Sequence, residues 1–249
     1  LPQGINDFFV RSAFLKDVDD FSQKTEANLI TDPYIYRLTG YTQFKSLDQK
    51  LGVYGALNTP DGYTTMISLP TGGGKSMVTQ TLSYQKEGLT IVVVPTVSLA
   101  LDQERVTKEI IRRTGNEEEI FSYSSGVAAG PILKAIEDKK ARILFISPEA
   151  LMENSSFVET IKKANKSRYL KNIVIDEAHI VVDWGAGFRV DYQCLEAWRN
   201  VLLMSNPALR TFLLSATFED KCVEILKNFF EIDGKWIEIR CDALRHEPR

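Results

Sequence analysis

Directly behind an apolar run, Met66-Ile67-Ser68-Leu69, the chain reads Pro70-Thr71-Gly72-Gly73-Gly74-Lys75-Ser76, then Met77-Val78-Thr79-Gln80-Thr81-Leu82-Ser83-Tyr84. A buried strand, a glycine-rich turn and a helix in that order leave few folds open. Consecutive glycines let the backbone bend so that several N–H groups point at one centre. Lys75 adds a point charge suited to β- and γ-phosphates, and the Ser76 hydroxyl can hold Mg²⁺. The helix that follows turns its N-terminus toward the same anion. The general pattern has a further glycine five residues before Gly74, and here that position is Leu69.

Short apolar runs recur along the chain at 66–69, 90–94, 143–146, 173–175 and 211–214, each bounded by turn or polar residues. Such runs read as buried strands of a parallel sheet. Helical stretches are expected between them at 76–86, 98–114, 132–137, 191–204 and 220–229. Alternation of this kind predicts an α/β fold with helices on both faces of a mostly parallel sheet. Function then concentrates in the loops after the strand ends. Roughly sixty residues before this core are rich in aromatics and acids and read as mostly helical. Residues 236–240 read as a last strand, followed by a polar tail.

Composition narrows the setting. A chain of 249 residues with 44% hydrophobic and 25% charged residues can bury a full core as one large or two small domains. No stretch approaches the roughly 18 apolar residues of a membrane span. The N-terminus lacks the basic and apolar regions of a signal peptide, and since it does not begin with Met it reads as an excised or processed segment. Cys194, Cys222 and Cys241 are far apart, with two histidines in the chain to join them. Neither a zinc spacing nor a disulfide framework emerges, which suits a reducing cytoplasm. A net charge of −3 argues against a wholly basic nucleic-acid coat and leaves room for a local basic face.

The second chemical signal is Asn172-Ile173-Val174-Ile175-Asp176-Glu177-Ala178-His179. A buried strand delivers two carboxylates and a histidine into one loop. Hydrolysis of a nucleoside triphosphate needs one carboxylate for the metal and another to orient and deprotonate water. Asp176 suits the first task and Glu177 the second.

Together, Thr71-Gly72-Gly73-Gly74-Lys75-Ser76 and Asp176-Glu177-Ala178-His179 resemble motifs I and II of superfamily 2 helicases, most closely the RecQ-like branch. The stretch from Val94 to Gln103 is similar to motif Ia, Ile146-Ser147-Pro148-Glu149-Ala150-Leu151-Met152 to the next DNA-side motif, and Ser215-Ala216-Thr217 to motif III. The resemblance extends over about residues 35 to 245. It implies a RecA-like P-loop NTPase domain at 35–241, an N-terminal helical extension at 1–34, and at 242–249 the start of a linker to a second RecA-like domain. It also implies ATP and Mg²⁺ as cofactors, with Lys75, Asp176 and Glu177 catalytic, and Ser76 and Asp176 on the metal. Thr71, Gly72, Gly73 and Gly74 would complete the phosphate cradle, and His179, Ser215 and Thr217 would couple nucleotide to nucleic acid.

Upstream, Thr39-Gly40-Tyr41-Thr42-Gln43-Phe44-Lys45-Ser46-Leu47-Asp48-Gln49 resembles the adenine-reading motif, so Tyr41, Lys45 and Gln49 inherit adenine contacts. Lys45 stands where the family usually has Arg, and one extra residue precedes Gln49. The weaker alternative, read without the motif, is that Tyr41 and Phe44 are core aromatics. Just after the acidic loop, Asp183-Trp184-Gly185-Ala186-Gly187-Phe188-Arg189-Val190-Asp191-Tyr192 resembles the aromatic-rich loop by which RecQ helicases sense single-stranded DNA. Aromatics four residues apart also suit a helix core, but Gly185 and Gly187 disfavour a regular helix there. Trp184, Phe188 and Arg189 are therefore expected to meet single-stranded DNA by stacking and cation–π contact, and Tyr192 to join the core. Phosphate contacts are expected from Thr96, Ser98 and Ser147, whereas the basic runs at 139–142 and 162–171 read as solvated helix faces.

The implied partners are DNA, single-stranded or duplex with a single-stranded end, and the second RecA-like domain, with no membrane and no structural zinc. The arginine finger that completes such a site lies in that second domain and is worth roughly 10³–10⁵ in rate in phosphoryl-transfer enzymes. The 249-residue chain is accordingly expected to bind ATP, turn it over slowly and not unwind a duplex alone. Three other readings remain at this stage: a duplex translocase or remodelling ATPase of a DNA restriction or defence system, an RNA helicase, and a binding module with a vestigial nucleotide site.

Overall fold

A computed structural model describes residues 29–124, 127–182 and 190–241, without the side chains of residues 113 and 190–193. Among the described residues the strands are β1 (Thr64–Ser68), β2 (Leu89–Val93), β3 (Ile120–Tyr123), β4 (Ile143–Ile146), β5 (Leu170–Ile175), β6 (Arg210–Ser215) and β7 (Trp236–Arg240). The helices are α1 (Pro33–Thr39), α2 (Leu47–Leu57), α3 (Lys75–Gln85), α4 (Val97–Ile111), α5 (Ala129–Glu137), α6 (Pro148–Glu153), α7 (Ser155–Lys166), α8 (Val190–Ser205) and α9 (Asp220–Phe230).

The strands form one sheet in the order β3-β4-β2-β5-β6-β1-β7, and every ladder is parallel. Parallel neighbours require a crossover, and here helices supply it on both faces. Alternate residues of each strand point to opposite faces. Met66, Ile91, Val93, Ile173, Ile175 and Leu213 join one core layer with residues of α7, α8 and α9. Ile67, Val92, Val174, Phe212 and Leu214 join the other with residues of α2, α3 and α4. Each such side chain contributes about 1.5–3 kcal/mol when fully buried, so both layers hold the strand ends rigidly.

Local signals set the helix starts. Asp32, Ser46, Thr96, Ser147 and Asn154 each accept a backbone N–H at a helix N-terminus, the N-cap role of short polar side chains. Pro33 and Pro148 open α1 and α6, where the missing N–H is harmless.

The strand and helix expectations hold to within a few residues, with differences that have physical causes. β3 was not expected: it is four residues long, pairs only with β4 and follows three glutamates, so its apolar pattern is short. Helices α6 and α7 were likewise not separated out in the sequence. The basic run at 139–142 is no helix face. Lys139 has a left-handed φ of 57° in the turn after α5, and Ala141 is buried. Lys162 and Lys163 do lie on α7, but Lys171 belongs to β5. Phe44 is core and Tyr41 exposed, which divides the two aromatics. The expectations for residues 1–28 and 242–249 lie outside the described residues.

Candidate active site

The glycine-rich loop joins β1 to α3. Leu69 is fully buried and its N–H donates to the Ser215 carbonyl at 3.0 Å, so it extends the β1–β6 ladder. That is why a leucine, not a glycine, precedes the loop. Gly73 donates to the Pro70 carbonyl at 2.7 Å, and a Cβ there would lie 2.7 Å from the same oxygen. Gly74 has φ 87° and a Cβ would lie 1.9 Å from Gln49 Nε2, so any side chain is excluded by both conformation and space. Lys75 and Ser76 then open α3, with Ser76, Thr71 and Gly72 exposed.

The second loop leaves β5, separated from β1 by β6 alone. Asp176 is buried, and its N–H donates to the Val93 carbonyl at 2.9 Å, holding the strand end in register. One carboxylate oxygen accepts the Glu177 N–H at 3.0 Å, and the other accepts Gln103 Nε2 at 2.7 Å. Burial pushes the Asp176 carboxyl above the usual carboxylate range, and Lys75, 3.8 Å away, opposes that shift. Glu177 sits in left-handed backbone, φ 51°, which is costly for a non-glycine residue and recurs at functional turns. Its Oε1 accepts a hydrogen bond from Lys75 Nζ. The ammonium and the two carboxylates predicted from separate motifs thus form one cluster.

The cluster continues toward β6. His179 Nδ1 lies 2.8 Å from Ser215 Oγ and 3.4 Å from Glu177 Oε2. Ser215 Oγ also lies 2.9 Å from the Thr217 carbonyl, to which it can donate. Thr217 enters through its backbone, with its N–H 3.3 Å from Ser215 Oγ. The candidate coupling residues form a chain from Glu177 to Thr217.

Beside the loop, Tyr41, Lys45, Gln49, Gly74 and Ser76 share the wall of a cavity of about 180 Å³ with Gln43. The three adenine candidates therefore meet at one place, next to the glycine loop. Gln49 is buried: its Oε1 accepts the Lys45 N–H at 2.7 Å and its Nε2 donates to the Gly74 carbonyl at 3.4 Å. Its carboxamide bridges these two backbone segments.

Of the candidate phosphate contacts, Thr96 and Ser98 are exposed at the start of α4. Ser147 is not: it is buried, and its hydroxyl caps α6 by accepting the Ala150 N–H at 3.3 Å. Its hydroxyl therefore serves as a helix cap. Trp184, Phe188 and Arg189 lie outside the described residues, as does the side chain of Tyr192.

Sequence reasoning missed Gln103 and Gln43 as site residues. Gln103 lies four residues before Thr107, which is buried and lies 3.4 Å from Gln80 Nε2. A polar pair at helical spacing on the inner face of α4 was the available signal.

Residues 49–225 match the family described as DEAD/DEAH box helicase. The chain is 31% identical over 198 residues to a probable ATP-dependent DNA helicase RecS of Bacillus subtilis, covering 80% of this chain and 36% of that protein. It is 29% identical over 221 residues to a putative ATP-dependent DNA helicase Q1 of Caenorhabditis elegans, covering 88% and 32%. The chain thus spans about a third of the length of these two relatives. Among solved structures it is similar to the DEAD-box helicase Mss116 bound to ssRNA and UDP-BeF, with TM-score 0.64, 23% identity and coverage of 91% and 46%. It is also similar to the DUF1998 helicase MrfA bound to DNA, with TM-score 0.62, 17% identity and coverage of 90% and 34%. These two likenesses concern the RecA-like fold. Among the described residues no helix is long and apolar enough to cross a membrane. With the phosphate loop, acidic loop and sheet order in place, the chain belongs to the DEAD/DEAH box helicase family.

Proposed function

We propose that residues 35–241 form the first RecA-like motor domain of a RecQ-like, ATP-dependent DNA helicase, with 1–34 an extension and 242–249 the start of a linker to a second such domain. The observation that carries this reading is the meeting of Lys75, Asp176 and Glu177 at the ends of β1 and β5, joined through His179 to Ser215 on β6.

ATP is the substrate. Lys75 exchanges Glu177 for the β- and γ-phosphates, and Glu177, released, orients the attacking water and accepts its proton. The backbone N–H groups of the glycine loop bind phosphate oxygens, and Tyr41, Lys45 and Gln49 line the space for the base. Mg²⁺ fits this donor set: the Ser76 hydroxyl and Asp176 would hold it, and when bound it neutralises charge on the transferred phosphoryl group. Gln103 positions Asp176 for that task. His179 and Ser215 relay the state of Glu177 to the loops that face the nucleic acid. Thr96, Ser98, Trp184, Phe188 and Arg189 are the proposed contacts to single-stranded DNA.

The test is ATP turnover measured with single-stranded DNA, duplex DNA and RNA. In the complete protein Lys75→Ala is expected to abolish turnover and Glu177→Gln to trap bound ATP; activity retained in either variant removes the assigned role. Residues 1–249 alone are expected to bind ATP and hydrolyse it slowly. Fast DNA-stimulated hydrolysis by this chain would refute the need for a second domain, and stimulation by RNA alone would refute the DNA assignment.

A further inference from the structure

The opposite edge of the sheet carries a second concave site. Near the starts of β5 and β6, Lys86, Arg168, Lys171 and Arg210 surround a cavity of about 320 Å³ together with Asp61 and Asn206. The edge that carries Lys75 and Asp176 is at the other end of the same strands.

Three features make this a built site. Arg210 is 1% exposed. Its Nε donates to Asn172 Oδ1 at 3.0 Å, and its Nη1 donates to Gln85 Oε1 at 3.2 Å and to the Thr59 carbonyl at 3.4 Å. Its buried Nη2 has no hydrogen-bond partner among the described residues. A buried guanidinium N–H left unpaired is costly, and the fixed positive charge of the guanidinium favours an anion in the adjoining cavity. Second, Lys171 is packed: a Cβ on Gly88 would lie 2.6 Å from Lys171 Cγ, so only glycine admits the lysine stem. Third, the one carboxylate in the wall is already bound, with Asp61 Oδ1 2.6 Å from Lys86 Nζ. Lys86, Arg210 and Lys171 all hold the Asp61 carboxyl below its ordinary range, so their fields overlap at this place.

We propose that this cavity binds a phosphate group, either free or as the monoester of a small molecule. Cations from several elements surround the space, an arrangement that suits a tetrahedral dianion better than a single planar carboxylate. The volume is at the lower end of small-molecule sites, enough for a phosphate with a short organic body. The binding is distinct from that at the glycine loop and does not rest on the helicase reading.

The test uses the Lys75→Ala chain, so that the glycine loop does not contribute, and titrates it calorimetrically with inorganic phosphate, glycerol 3-phosphate and acetate. One saturable phosphate or phosphomonoester site is expected, weakened about tenfold or more by Lys171→Glu, which reverses a charge in the wall. Arg210→Lys keeps the charge but removes the fork, and is expected to weaken binding with the fold retained by circular dichroism. Tighter binding of glycerol 3-phosphate assigns the site to a monoester, and exclusion of it assigns the site to the free ion. Absence of saturable binding, or affinity unchanged in both variants, overturns the proposal. So does acetate binding as well as phosphate. Loss of single-stranded oligonucleotide affinity in Lys171→Glu, with neither small phosphate bound, overturns it in favour of a nucleic-acid track.

Discussion

The two ends of the sheet bury charge in opposite ways. At the C-terminal end, Lys75 faces Asp176 and Glu177, so one cation partly offsets two carboxylates and can exchange partners. At the N-terminal end, two arginines are buried with neutral acceptors. Arg199 donates from Nε to Thr211 Oγ1 at 3.0 Å and from Nη2 to Thr64 Oγ1 at 2.6 Å, and lies over the Phe230 ring at 5.7 Å. Burial pushes its pKa down to about 10, which still leaves it protonated at neutral pH. Arg210 is held by amide and carbonyl oxygens and lies over Phe212 at 5.6 Å. Mutual ion pairing makes a site that a ligand can open. Fixed neutral acceptors make a structural clamp, and Arg210 keeps one buried nitrogen, Nη2, without a partner among the described residues.

The largest effect that would test this contrast is on catalysis. Lys75→Ala should lower nucleic-acid-stimulated ATP turnover in the complete protein by about 10³-fold, the scale for removing one preorganised charge from a transition state. A steady-state ATPase assay checks it, and a loss of less than about tenfold would mean the ion-paired end is structural. Next comes the clamp. Arg199→Ala should cost about 2–4 kcal/mol in denaturant unfolding, through a cavity and two buried hydroxyls left without their donor. Arg199→Met, which fills the volume without a buried charge, should cost clearly less. Equal losses would show that the hydrogen bonds, not the packing, hold this end together.

Smaller still, Gly74→Ala should cost about 1–3 kcal/mol, because a φ of 87° is strained for any side chain and Gln49 blocks the space. ATP binding by fluorescence titration should be lost with it. The smallest stability effect belongs to His179→Ala, no more than about 1 kcal/mol for a half-exposed side chain with one good hydrogen bond. ATP affinity should survive while nucleic-acid stimulation of turnover falls. If both are unchanged, the chain from Glu177 to Ser215 transmits nothing.

Much of the catalytic end was legible in the sequence because its signals are local. Gly72-Gly73-Gly74-Lys75-Ser76 encodes its own turn and helix start, and Asp176-Glu177 follows an unbroken apolar strand. The cap role of Ser147 was not read from the sequence because a Ser-Pro pair after a strand serves equally as a loop contact and as an N-cap. The cap won, and burial followed from it. Gln103 was passed over because its helical spacing from Thr107 marks an inner face of α4 but does not identify Asp176, 73 residues away, as its partner.

The sequence by itself determined every described strand but β3, the two chemical loops and the family, since each depends on residues within a few positions of one another. Only the tertiary structure decided that Lys75 meets Glu177 across 102 residues of chain, because strand order places β6 alone between β1 and β5. It also decided that Arg210, an ordinary basic residue at a strand start, is buried with a free N–H beside three further cations. Hydrogen bonds and charge act over a few ångströms in space. Which residues stand within that range depends on the order of the strands, which the order of the sequence does not contain.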